Sequence, residues 1–122
     1  MRAPSIAIAM LAAIASLSCA GALASRAPTV TQAGVRFVLS RPEARSVALA
    51  GSFNGWSASS HSLAREGSRG EWTIVLALPP GDHLFMYVVD GTEWLSPPVA
   101  EDYVDDGFGS KNGVVVVRPP RR

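Results

Sequence analysis

Apolar and polar residues alternate in short stretches along most of this chain, and turn residues separate the stretches roughly every ten positions. A repeat of two belongs to a strand with one buried face, and strands at this spacing point to an all-β sandwich or barrel. Val35, Phe37 and Leu39 alternate with Arg36, Val38 and Ser40 until Arg41-Pro42-Glu43 ends the run. Val47 and Leu49 begin a second strand, whose other face carries only Ala48 and Ala50. Trp72, Ile74, Leu76 and Leu78 line one face of a third, and Pro79-Pro80-Gly81-Asp82 turns the chain back. Phe85, Tyr87 and Val89 then face inward on a fourth, which sends Leu84, Met86 and Val88 to the opposite side. An outer face this apolar is either covered by another layer or binds something. Asp90-Gly91 is a hairpin signal, Glu93-Trp94-Leu95 a short returning strand, Pro97-Pro98 its stop, and Val114 to Val117 the last strand. No helix-period segment of useful length follows the first 24 residues.

The N-terminus has a different pattern. Met1 and Arg2 give a basic start, Ile6 to Leu17 is apolar, and Ala22-Leu23-Ala24 offers a small-residue cleavage site. These are the three regions of a signal peptide, whereas a membrane-spanning helix needs about twenty apolar residues with charged stops. Residues 1–24 are therefore expected to be an export signal, 25–33 a linker, 34–118 the β-sandwich and 119–122 a basic tail. Cys19 is the only cysteine, which excludes an intramolecular disulfide. Its place after the apolar run also makes it the lipidation point if the leader is of lipoprotein type. The membrane enters only through this segment, uncleaved or lipidated, and the product is expected outside the cytoplasm: periplasmic, secreted or envelope-anchored.

Charge narrows the partners. The chain carries 11 basic and 10 acidic residues, and loss of Arg2 with the leader balances them, which argues against nucleic acid. Glu101, Asp102, Asp105 and Asp106 form an acidic loop, but catalytic carboxylate pairs need a rigid, partly buried cleft to separate their pKa values. The same spacing fits no EF-hand, and a solvated loop is expected. His61 and His83 are too isolated for zinc, and neither a Ser-His-acid set nor a phosphate-binding glycine loop is present. No cofactor and no catalytic residue is expected.

Ala50 to Ser57 reads AGSFNGWS, and this hairpin motif resembles the glycogen-binding domains of AMP-activated protein kinase β subunits, which share a fold with the family 48 carbohydrate-binding modules of isoamylases and branching enzymes. The resemblance continues through Trp72 to Leu78, PPGDHLFMYVVDG at Pro79 to Gly91, Trp94, and GSKNGVVVV at Gly109 to Val117. It implies an immunoglobulin-like, early-set β-sandwich that binds α-glucan: glycogen, starch or maltooligosaccharide. It further implies that Trp56 and Trp94 form a sugar platform, that Asn112 hydrogen-bonds sugar hydroxyls, and that Phe108 and Ser110 are neighbouring loop contacts. The sequence departs from the pattern at Met86, where the kinase-subunit domains carry a lysine near the sugar. A lost donor there removes one hydrogen bond, about 1 kcal/mol net. One added residue, Thr92 or Glu93, precedes Trp94 and alters the expected angle between the two rings.

The platform also has a case independent of family. A pyranose presents C–H patches on its faces and hydroxyls round its rim, which suit rigid aromatic rings and amides respectively. A tryptophan in a small β domain is more often core, and Trp72, on the inward stripe, is expected there. Trp56 and Trp94 stand in or beside turns among polar residues, where aromatics tend to be exposed. Asn54 and Gly55 are read as formers of the bend that lifts Trp56. The leading expectation is a non-catalytic α-glucan-binding module, tethering a glucan-active enzyme or an envelope protein to polymer. The alternative is a structural or protein-interaction sandwich that uses the Leu84, Met86 and Val88 face.

Overall fold

The computed structural model describes residues 25–120. The expected export signal, Cys19 and the last two residues of the basic tail lie outside them. The described residues form nine strands: β1 (Arg26–Thr31), β2 (Gly34–Ser40), β3 (Val47–Gly51), β4 (Ala64–Glu66), β5 (Glu71–Leu76), β6 (Gly81–Val89), β7 (Glu93–Leu95), β8 (Asp102–Asp105) and β9 (Lys111–Val117). They form two antiparallel sheets, β1-β2-β5-β4 and β3-β6-β9-β8, with β7 added against β6. The molecule is an all-β sandwich of immunoglobulin-like type, with no helix among the described residues.

The alternation read from the sequence becomes the core. Val35, Phe37 and Leu39 from β2 meet Val47 and Leu49 from β3, Phe85, Tyr87 and Val89 from β6, and Val115 from β9 between the sheets. Burying one such side chain contributes about 1.5–3 kcal/mol, so this single layer holds the two sheets together. Phe85 lies edge-on between Phe37, at 5.1 Å, and Tyr87, at 5.7 Å, the geometry that aromatic quadrupoles favour. Trp72 joins the same core. Its indole N–H donates to the Arg41 carbonyl at 3.0 Å and the Arg65 guanidinium covers its ring at 4.6 Å. Burial pushes the Tyr87 phenol far up from its usual range, because a phenolate there would lose its hydration.

Two expectations need correction. Residues 25–33, read as a linker, contain β1, which pairs with β2 from Arg26↔Val38 to Thr31↔Gly34. Pro28 sits where the register slips between Arg26 and Thr29, at a sheet edge where a missing N–H costs no ladder bond. The acidic loop is likewise part strand. Asp102 to Asp105 form β8, registered on β9 from Asp102↔Val114 to Asp105↔Lys111.

Strand β6 determines where a site can form. Along one edge it pairs with β3. Along the other it pairs first with β9, as far as Phe85↔Gly113, and then with β7, starting at Tyr87↔Leu95. The partner strand thus changes at Met86.

Candidate functional site

The first element of the site is the turn after β3. The Asn54 side chain ties it together, accepting from the N–H of Gly51 at 3.0 Å and of Ser57 at 3.2 Å while donating to the Leu49 carbonyl at 2.9 Å. Its amide N–H also reaches His61 Nδ1 at 2.9 Å, which makes Nδ1 the acceptor and leaves the ring proton on Nε2. Asn54 is a turn former, as its type suggests. Inside this frame Trp56 has φ +59, the left-handed region, which costs a non-glycine residue about 1–2 kcal/mol. Its N–H bond to the Gly51 carbonyl at 2.9 Å and its packing on Ala48, Ala50 and Val88 offset that cost. The two alanines leave the room the indole fills.

Trp94 arrives from the other side. Asp90 and Gly91 have φ +54 and +76, and the Thr92 N–H closes the turn on the Val89 carbonyl at 3.1 Å. Pairing resumes at Glu93 opposite Val89, so the added residue is absorbed in the turn and Trp94 stands opposite Val88. The Asp90 carboxylate accepts from the N–H groups of Arg45, at 2.7 Å, and Ser46, at 3.2 Å. Those two bonds hold its carboxyl below the usual range. Trp56 and Trp94 thus reach the same outer face of one sheet, on either side of buried Val88.

The third element is the β8–β9 turn. Asp106 donates its N–H to the Ser110 carbonyl at 3.0 Å, and its Oδ1 accepts from the N–H of Phe108 at 2.7 Å and of Ser110 at 3.1 Å. At the tip of this braced loop Phe108 is 92% exposed. The braced turn thus holds a large apolar side chain out in solvent.

These elements enclose an open depression of about 510 Å³ lined by Trp56, Leu84, Met86, Trp94, Asp106, Phe108 and Asn112. Five of the seven linings are apolar or aromatic. Met86 and Leu84 form the floor, and Met86 is only 6% exposed. Asn112, on the outer face of β9, makes no side-chain hydrogen bond among the described residues, which leaves its amide for a ligand. Of the sequence-predicted residues, Trp56, Trp94, Asn112, Phe108 and Met86 come together here. Ser110 does not line the depression and closes the loop through its backbone instead. Asp106 was missed as a lining residue. An aspartate before glycine signals the Asx turn it forms, but not the direction in which the loop closes.

A family model described as the glycogen recognition site of AMP-activated protein kinase matches residues 35–122. The chain belongs to this family. Among curated relatives of this glycogen-recognition family, the 1,4-alpha-glucan branching enzyme GlgB of Pseudomonas syringae pv. tomato is 37% identical over 81 residues, 66% of this chain and 10% of the enzyme. The branching enzyme of Bacillus caldolyticus is 39% identical over 56 residues, 46% of this chain and 8% of the enzyme. Subunit beta-1 of the 5'-AMP-activated protein kinase of Sus scrofa is 34% identical over 74 residues, 61% of this chain and 56% of the subunit. The chain therefore spans a small part of the branching enzymes and just over half of that subunit.

Proposed function

We propose that this domain is a non-catalytic module that binds α-glucan such as glycogen, starch or maltooligosaccharide in the depression on the outer face of the β3-β6-β9-β8 sheet. The observation that carries the reading is that Trp56 and Trp94, 38 positions apart in sequence, line one depression with Phe108 and Asn112. Aromatic faces for sugar C–H patches and an unengaged amide for rim hydroxyls are the convergent groups a saccharide needs. Family membership supports the same ligand class. The alternative, a structural or protein-interaction sandwich that uses the Leu84, Met86 and Val88 face, has less support, because Met86 and Val88 are 6% and 1% exposed.

The leader pattern in residues 1–24 supports export to a periplasmic, secreted or envelope-anchored location, with Cys19 as the lipidation point in the last case. Single modules bind weakly, and retention on a branched polymer would come from many contacts at once, whether the module tethers a glucan-active enzyme or an envelope protein.

Affinity electrophoresis in gels containing glycogen tests the binding. The wild-type domain is expected to be retarded, and the Trp56→Ala, Trp94→Ala double variant to run as in a glycogen-free gel. A wild type that migrates identically in both gels removes the proposal.

A further inference from the structure

The depression holds one ionisable side chain, and it is not among the aromatic residues that would stack on a sugar. Asp106 lines the depression, and its two carboxylate oxygens differ in what they meet. Oδ1 accepts the N–H groups of Phe108 and Ser110 and so braces the loop that carries Phe108. Oδ2 has no hydrogen-bond partner among the described residues. The other linings, Trp56, Leu84, Met86, Trp94, Phe108 and Asn112, include no cation. Lys111, next to Asn112 in the chain, is well exposed and lies 3.6 Å from Asp105 instead.

A free carboxylate oxygen takes a hydroxyl hydrogen in a charge-assisted bond, stronger than a bond between neutral groups. The same charge repels anions, and beside low-dielectric walls of indole, leucine and methionine the repulsion is less screened than in open water. A phosphoryl group on a sugar would bring about two negative charges into a site with no positive side chain to receive them.

We propose that Asp106 is a ligand residue of this depression, accepting a sugar hydroxyl on Oδ2, and that it selects neutral glucan chains over phosphorylated ones. The inference rests on the glucan-binding reading and names the charge class of its ligand.

Isothermal titration with maltoheptaose and with maltoheptaose phosphorylated at one C6 hydroxyl, on wild type and Asp106→Asn, tests it. Asparagine keeps a carbonyl oxygen for the Phe108 and Ser110 N–H groups while replacing the free oxygen by a neutral donor. The wild type is expected to bind the neutral sugar about tenfold more tightly than the phosphorylated one. Asp106→Asn is expected to lose about fivefold to tenfold toward the neutral sugar and to bind the two within about twofold of each other. A residue that only braces the loop would leave that ratio unchanged, so an unchanged ratio overturns the proposal, as does a wild type without preference. Should the variant fail to fold, the wild type alone decides: its preference is expected to narrow as salt rises from about 20 mM to about 500 mM, and a salt-independent preference overturns the proposal. A wild type that binds neither sugar removes the glucan-binding reading itself, whereas neutral binding with an unchanged ratio removes only the role of Asp106.

Discussion

The two faces of β6 are built from the same strand and the same kind of residue, yet they end in different surroundings. On the inner face Phe85, Tyr87 and Val89 are 0%, 1% and 4% exposed under a complete second sheet. On the outer face the covering is partial. Trp56 and Ala58 roof Ala48, Ala50 and Val88, while Leu84 and Met86 are left as the floor of a depression. The inner layer is closed because a whole sheet matches it. The outer layer is open because the segment over it, with Trp56 and Ala58, packs on Ala48, Ala50 and Val88 and leaves Leu84 and Met86 to the depression. A face can therefore be apolar for stability or for a ligand, and what separates the two is the layer above it.

This contrast predicts that substitutions on the two faces separate stability from binding. Phe85→Ala, measured by chemical denaturation, is expected to cost about 3–5 kcal/mol, because the ring fills a void between Phe37 and Tyr87 that the sheets cannot close. Gly113→Ala tests the seam between the faces. A Cβ there would stand 2.5 Å from Pro97 and 2.9 Å from the Phe85 ring, so β9 must shift, with an expected loss of about 1–3 kcal/mol and weaker glucan binding through neighbouring Asn112. Trp94→Ala, with the indole 45% exposed, is expected to change stability by under about 0.5 kcal/mol while lowering glycogen affinity about tenfold or more. A large stability loss in Trp94→Ala would show that the outer face is core after all.

The smallest effect concerns the turn that presents Trp94. The Asp90 carboxyl is held below its usual value by the N–H groups of Arg45 and Ser46. A lowered folded-state value means that the contribution is fully present above the unfolded value of about 4 and is lost as pH falls through the folded one. Melting curves of wild type and Asp90→Asn are expected to differ near neutral pH and to converge at the acid end. Asparagine is the variant of choice because it tolerates φ +54. A gap that widens with acid would contradict the assignment.

The sequence by itself determined the strands that bury a face. Period-two alternation in β2, β3, β5 and β6 follows from strand geometry, so Phe37, Leu49, Trp72 and Tyr87 could be placed inside before any coordinates. Turn chemistry was local enough to be read as well, with Asn54 bracing one bend and Asp90-Gly91 making another. Strands β4 and β8, exposed along their whole length, carried no such signal, and neither did β1, which is largely exposed. An edge strand is held by backbone bonds to one neighbour, and those bonds leave no mark on side-chain pattern.

Only the tertiary structure decided that the candidate residues share one place. Trp56 and Phe108 come from two turns and Trp94 and Asn112 from two strands, and their meeting depends on β3, β7 and β9 all pairing with β6. It also decided that Asp106 belongs with them and Ser110 does not, because lining a depression depends on which way a loop closes. Spacing along a chain specifies the local turn, but the distance between two turns is set by the sheet that joins them.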